Sequence, residues 1–262
     1  MNRRHFSFAC ESAQLAATLD DASGTTALLI VSGGNETRAG AWNSQALLAA
    51  RVAAEGYPVL RFDRRGVGDS EGDNRGFRSS APDIAAALAA LRTACPQVMR
   101  VVGFGNCDAA SALMLAGGAG FDALILSNPW TFAEDSADEP PAEVVRNHYR
   151  RRLGDAAALK RLLTGKVAIG PLLRSLFAAA RPIPGRPKGL AAEIASGVVG
   201  FRGPIRFPIA GRDRTGLAFL ANWDKSDDRL RICSDATHSY VEPEAQDWLF
   251  RQVLEILRTT AH

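Results

Sequence analysis

The chain has 262 residues, of which 47% are hydrophobic and 23% charged, a composition typical of a globular protein with one large core. Its formal net charge of +3 is too small to predict nucleic-acid binding, and no apolar run is long enough to cross a membrane. The amino terminus lacks an apolar signal segment, and the four scattered cysteines lack metal-ligand spacing. We therefore expect a cytoplasmic protein without metal or cofactor.

The first half of the chain alternates between segments of strand and helix character. Short, continuous apolar runs are typical of strands buried on both faces, and amphipathic segments between them predict helices. The predicted segments, in chain order, are one or two edge strands in 5–21, strand 27–31, helix 41–55, strand 58–62, helix 80–93, strand 98–104, a helix from 109 and strand 123–126. This alternation predicts a mostly parallel sheet flanked by helices.

The alternation stops at Asn128-Pro129 and resumes near residue 205. Residues 134–141 are acidic and end in two prolines, and the residues from 142 to about 200 read as helical and basic. Strand 205–210, helix 216–224, strand 230–233 and a terminal helix at 244–258 complete the pattern, for about eight strands in all. We predict a core domain of residues 1–129 and 201–262, with residues 130–200 inserted after the sixth strand as a helical lid.

The segment around Cys107 has the pattern of a nucleophile elbow. An apolar run ends in Gly103-Phe104-Gly105, Cys107 follows two residues after Gly105, and a helical pattern starts at Ala109, in the position where a second glycine is usual. Such a tight turn needs small neighbours, and it presents the sulfur at a helix amino terminus, where free amides favour a thiolate. The alternative is a buried structural cysteine in an ordinary strand–helix turn.

A thiol nucleophile needs a base and a residue that orients the base. His238 is the histidine that lies in a loop between the last predicted strand and the terminal helix, and Asp213 follows the end of the strand before it. The chain order of nucleophile, acid and histidine matches that of hydrolases built on parallel sheets. The alternatives are that His238 caps the terminal helix and that Asp213 caps the helix near 216, with Asp224, Asp227 or Asp235 as the acid.

The oxyanion donors are predicted to be the backbone N–H of Asp108 and that of Gly34, in the glycine loop Ser32–Asn35, although this loop also fits a plain turn. The Asp108 carboxylate complicates this arrangement. It would disfavour a thiolate and repel an oxyanion unless it points along the helix or toward an arginine. The alternative role for Asp108 is that of a first-turn acid that stabilises the helix.

Substrate contacts are predicted for Asn35 and for Arg146 and Arg150 in the basic insertion. The arginines could bind a negatively charged head group. The insertion also contains a basic amphipathic stretch at 166–181 that could rest on an anionic membrane or cover the active-site cleft. The alternative is a solvated lid exterior.

Four motifs resemble those of a known family. The loop Asp63-Arg64-Arg65-Gly66-x-Gly68-x-Ser70 looks like the D-x-R-G-x-G-x-S loop of α/β-hydrolase esterases, lipases and peptidases. Together with the elbow 105–112, the segment 33–40 and Gly211-Arg212-Asp213, it is similar to the exosortase A system-associated hydrolases over nearly the whole chain. The resemblance implies an α/β-hydrolase fold, a Cys107–Asp213–His238 triad and a cytoplasmic role beside polysaccharide-export gene sets. It implies no particular substrate.

The cysteine nucleophile narrows the expected chemistry. A thiolate is a better leaving group than an alkoxide, so attack on an amide tends to revert, whereas esters, thioesters and lactones carry leaving groups that compete. We therefore expect hydrolysis of a small-molecule acyl ester, thioester or lactone through an acyl-enzyme. The alternatives are an acyltransferase with the same triad and a non-catalytic scaffold of the same fold. The sequence leaves the substrate and the oligomeric state open.

Overall fold

The computed structural model describes residues 2–132 and 189–261. It contains a sheet of eight strands. The strands are β1 (Asn2–Cys10), β2 (Ala13–Asp21), β3 (Thr26–Val31), β4 (Val59–Phe62), β5 (Arg100–Asn106), β6 (Ala123–Ser127), β7 (Ile205–Ala210) and β8 (Leu230–Cys233). The helices are α1 (Ser44–Ala54), α2 (Ala81–Ala94), α3 (Asp108–Leu115), α4 (Leu190–Gly197), α5 (Arg214–Asn222) and α6 (Pro243–Thr260), with short 3₁₀ turns at Ala41–Asn43 and Phe77–Ser79.

The strand order is β1-β2-β4-β3-β5-β6-β7-β8. The first two pairings, β1 with β2 and β2 with β4, are antiparallel, and the five that follow are parallel. The predicted fold class, a mostly parallel sheet of eight strands flanked by helices, is thereby confirmed. The weakly alternating segment at 5–21 corresponds to two full strands, which pair over their whole length.

Two apolar cores lie on opposite faces of the sheet, because the central strands bury side chains on both sides. One core packs α2, α3, α4 and α5 against the strands, and the other packs α1 and α6. Leu190 and Ile194 of α4, together with Val198, belong to the first core. Since burying one such side chain contributes about 1.5–3 kcal/mol, this end of the predicted insertion is packed on the core domain.

The remainder of the predicted insertion, residues 133–188, lies outside the described residues, and so do Arg146 and Arg150. Within residues 2–132 and 189–261, no helix combines the length and the apolar character needed to cross a bilayer. The carboxyl ends of β5, β7 and β8 lie at one edge of the sheet because these strands are parallel. The loops that leave this edge carry Cys107, Asp213 and His238.

Candidate active site

Cys107 occupies a strained turn between β5 and α3. Its φ of 62° and ψ of −128° are unfavourable for a residue with a side chain, and such strain costs about 1–3 kcal/mol. The turn is this tight because Gly105 has no Cβ: a Cβ there would lie 2.7 Å from the carbonyl carbon of Ala109. Ala109 is itself fully buried, so the turn tolerates a methyl group at that position. Cys107 is also the N-cap residue of α3, which places its sulfur at the helix amino terminus.

Asp213 and His238 are brought together by the loops after β7 and β8. The His238 Nδ1 atom lies 2.8 Å from Asp213 Oδ2, and the Asp213 side chain is buried. The same carboxylate accepts hydrogen bonds from the backbone N–H groups of Thr215 (3.2 Å) and Gly216 (3.0 Å), at the start of α5. Asp213 therefore caps a helix and holds an imidazole at once, and the N-cap alternative does not exclude the other role.

The surroundings of His238 favour a protonated ring. Burial by itself lowers the pKa of His238, but hydrogen bonds with Asp213 and with Cys107 outweigh it and raise the pKa to about 10. Because Nδ1 contacts Asp213, Nε2 is the ring nitrogen that remains available for the interaction with Cys107. An imidazolium in contact with a thiol favours the thiolate, which is the reactive form of cysteine.

A buried amide network fixes the backbone of His238, and the sequence analysis missed it. Asn128, which is fully buried with a φ of 42°, accepts a hydrogen bond from the backbone of Ala210 (2.8 Å) and donates to Asn106 Oδ1 (2.9 Å). Asn106 in turn donates to the carbonyl of His238 (3.2 Å). The residue before Cys107 is thus tied to the loop that carries His238. The break in the strand pattern at Asn128 was the available signal.

Tyr240 anchors the same loop two residues after the histidine. Its hydroxyl donates to the carbonyl of Pro208 (3.1 Å) and lies 3.0 Å from Ser127 Oγ, from which it accepts. Burial raises the pKa of Tyr240, so the hydroxyl keeps its proton as a donor. Because Ser127 ends β6 and Pro208 lies in β7, these hydrogen bonds of Tyr240 attach the loop that carries His238 directly to the sheet.

The glycine loop after β3 lies against the elbow, and its amide is occupied. A Cβ on Gly33 would lie 2.6 Å from the carbonyl oxygen of Asn106, so the two loops are in close contact. The Gly34 N–H donates to Asp108 Oδ1 at 2.6 Å, and Arg64 Nη2 lies 2.6 Å from the Gly34 carbonyl oxygen and 3.2 Å from Asp108 Oδ2. In the structure, the Gly34 N–H, which is predicted to be an oxyanion donor, is occupied by the carboxylate of Asp108. The backbone N–H of Asp108, the first residue of α3, has no partner within its own helix.

Of the residues predicted to contact substrate, one lies in the part of the chain that the structure describes. Asn35 is exposed at the end of the glycine loop, and its side chain accepts a hydrogen bond from Asn74 (2.8 Å). Arg146 and Arg150 lie outside the described residues. In the part of the chain that the structure covers, no group of histidine, cysteine and acidic side chains is arranged to hold a metal ion.

Comparison with known sequences points to one family. The sequence profile of the alpha/beta hydrolase family matches residues 28–256, which includes most of β3 and every later strand. None of the functionally curated proteins matches the sequence.

Solved structures share the fold at low sequence identity. The alpha/beta hydrolase GrgF from Penicillium sp. is 17% identical, with a TM-score of 0.65, and the alignment covers 100% of this chain and 99% of that one. The esterase Pf2001 of Pyrococcus furiosus is 15% identical, with a TM-score of 0.63 and coverage of 100% and 92%. Est1E from Butyrivibrio proteoclasticus, solved with ferulic acid, is 16% identical, with a TM-score of 0.60 and coverage of 97% and 99%. At these identities the likeness establishes the shared fold.

Proposed function

The chain belongs to the alpha/beta hydrolase family, and from this premise we propose that it hydrolyses acyl esters, thioesters or lactones with Cys107 as the nucleophile. The observation that carries the proposal is the position of the His238 ring, which lies 2.8 Å from the buried Asp213 carboxylate and close enough to Cys107 for that side chain to raise its pKa. Nucleophile, base and orienting acid are the three parts that covalent acyl transfer requires.

The chemistry proceeds in two balanced steps. In the first, the Cys107 thiolate attacks the acyl carbon, and His238 Nε2 gives its proton to the departing alcohol or thiol, which leaves an acyl-enzyme. In the second, His238 takes a proton from water, the hydroxide attacks the thioester, and the thiolate departs with the acid released. Asp213 keeps the proton on Nδ1 throughout, so that Nε2 alone exchanges protons.

The substrate class follows from the nucleophile. Since a thiolate is expelled more readily than most alkoxides and far more readily than an amide anion, the tetrahedral adduct goes forward only when the substrate's leaving group is good. Pf2001 is named as an esterase and Est1E was solved with an aromatic acid, which agrees with acyl ester chemistry on this fold. We take these likenesses as support for the class of reaction and not for a particular substrate.

The decisive experiment detects the acyl-enzyme directly. The protein is mixed briefly with p-nitrophenyl butyrate, and the intact mass is compared between the wild type, Cys107→Ala and the matched control Cys233→Ala. Cys233 is also a free, partly exposed cysteine, so it reports nonspecific acylation. We expect a butyryl adduct in the wild type and in Cys233→Ala but none in Cys107→Ala. An adduct that persists in Cys107→Ala contradicts the proposal.

The same assay separates the alternatives. If added alcohols or amines capture the acyl group in preference to water, the protein is an acyltransferase with the same three residues. If acyl probes label neither the wild type nor any of its variants, the fold serves as a non-catalytic scaffold.

The cellular setting remains a proposal drawn from the resemblance alone. We propose a cytoplasmic enzyme that acts on a small acyl substrate, serves an exopolysaccharide and exosortase system, and does not bind nucleic acid. We also propose a peripheral contact of the basic insertion, residues 130–200, with anionic membranes. Pelleting with anionic liposomes at low salt, lost as salt rises, is the expected result. The absence of pelleting at low salt would exclude the membrane contact.

A further inference from the structure

The Asp108 carboxylate is held by two donors that face it from different loops. The Gly34 N–H reaches Oδ1 at 2.6 Å, and Arg64 Nη2 reaches Oδ2 at 3.2 Å and Oδ1 at 3.4 Å. Arg64 is almost fully buried and is fixed in turn by the Gly34 carbonyl (2.6 Å) and Ser80 Oγ (3.1 Å). Since hydrogen bonds to charged groups are stronger than those between neutral groups, they hold the Asp108 side chain in one position.

This carboxylate lies beside the nucleophile. A Cβ placed on Gly33 would be 3.6 Å from the Cys107 Cβ and 3.1 Å from Asp108 Oδ1, so the carboxylate oxygen lies within about 7 Å of the Cys107 Cβ. The amide that it occupies belongs to the loop that follows β3, the loop from which this fold draws one donor for the oxyanion. In the structure, the Asp108 carboxylate already accepts the hydrogen bond from this Gly34 N–H.

We propose that Asp108 is an internal competitor of the substrate oxyanion. This inference rests on the proposed function, and it adds to that function a displacement that must accompany every acylation. When the acyl carbon becomes tetrahedral, its oxyanion takes the Gly34 N–H, and the Asp108 carboxylate withdraws while it keeps its contact with Arg64. No covalent bond of Asp108 is made or broken, and its charge does not change. Asp108 thus determines which acyl groups react, because only those that compete for the Gly34 N–H displace it.

The test is the rate of acylation in Asp108→Ala. Removing the carboxylate frees the Gly34 N–H, so the burst with p-nitrophenyl butyrate should become about tenfold to a hundredfold faster, the factor that one hydrogen bond to a charged group represents. Asp108→Asn keeps an acceptor oxygen without the charge, and its gain should be smaller. Asp247→Ala, which removes an exposed carboxylate paired with Arg51 on the far helices, is the matched control and should match the wild type.

A second readout does not depend on activity. In protein labelled with ¹⁵N-glycine, and with the Gly34 signal assigned by Gly34→Ala, added acetate should shift the Gly34 amide in Asp108→Ala but not in the wild type. The vacated site then accepts a free carboxylate between Gly34 and Arg64. Thermal unfolding of each variant confirms that the fold is retained.

The outcomes separate this inference from the proposed function. Faster acylation in Asp108→Ala supports internal competition, and so does acylation of that variant alone. Unchanged or slower acylation overturns it and makes Asp108 a structural link between the glycine loop and α3. If neither protein is acylated, the proposed function fails, and the acetate shift decides: its presence supports an internally filled anion site, and its absence rejects one.

Discussion

Replacing Asp213 by Asn tests the arrangement most directly, because Asn has the same shape but no charge. The Asp213 carboxylate accepts from His238 Nδ1 at 2.8 Å and from the backbone N–H groups of Thr215 and Gly216. Asn retains one oxygen for the helix amides, but its NH₂ group cannot accept the Nδ1 proton. We expect acylation to slow by a factor on the order of 10⁴, the loss seen when a catalytic imidazole loses its orienting charge. The pKa of His238 should fall back from about 10 toward its ordinary value of 6.5.

The stability of the variants separates catalysis from helix capping. Asn is a good N-cap residue, so Asp213→Asn should unfold in urea close to the wild type, whereas Asp213→Ala loses the cap of α5 and should be less stable by about 1 kcal/mol. The measurements are the p-nitrophenyl ester burst, urea unfolding and an NMR titration of the His238 ring. If Asp213→Asn stays within about tenfold of the wild-type rate and His238 keeps its raised pKa, the reasoning is refuted, and Asp224, Asp227 or Asp235 becomes the candidate acid.

Two further perturbations follow from the same geometry. Because the pKa of His238 is raised from 6.5 to about 10, its interactions stabilise the fold fully below pH 6.5, and this stabilisation is lost as the pH rises toward 10. The difference in unfolding free energy between the wild type and His238→Gln should shrink by about 1–2 kcal/mol over that range. This value is reduced for solvent screening because the His238 side chain is 34% exposed. A free-energy difference that does not change with pH would contradict the raised pKa. Gly33→Ala places a Cβ 2.6 Å from the Asn106 carbonyl oxygen and should cost about 1–3 kcal/mol as well as acylation rate. Gly200→Ala, where a Cβ meets open space, is its control, and equal stability of the two variants would show that the loops do not touch.

The fold was predictable because its signals are local. The predicted bounds of the strands at Ile205–Ala210 and Leu230–Cys233 match those of the structure, since short runs rich in branched and aromatic apolar residues between turn residues are typical of strands. The central strand was predicted to end at 104 but runs through Asn106. Gly105 and Asn106 have poor strand propensity, and pairing with β6 overrides it.

The site was only partly predictable because much of it depends on distant contacts. Cys107, Asp213 and His238 could be selected from loop positions and chain order, but no local pattern reveals that Asn128 reaches Asn106 across the sheet edge. Nor does a sequence show where a side chain points. The sequence indicates that Asp108 is a first-turn acid or pairs with an arginine. That the arginine is Arg64 follows only from the fold of the loop after β4.

The charges around the elbow explain why an acidic residue next to the nucleophile is compatible with a thiolate. If Cys107 is ionised, it joins Asp108 and Asp213 as a negative group, and His238 and Arg64 supply two positive ones. Because Asp108 is paired with Arg64, an ionised Cys107 and Asp213 share the His238 imidazolium without competition from Asp108. Arg64 therefore does more than orient a loop, because without it the Asp108 carboxylate would oppose the thiolate beside it. The pair keeps a negative group next to Cys107 at little electrostatic cost, which is the condition under which the proposed nucleophile and the proposed internal competitor can lie side by side.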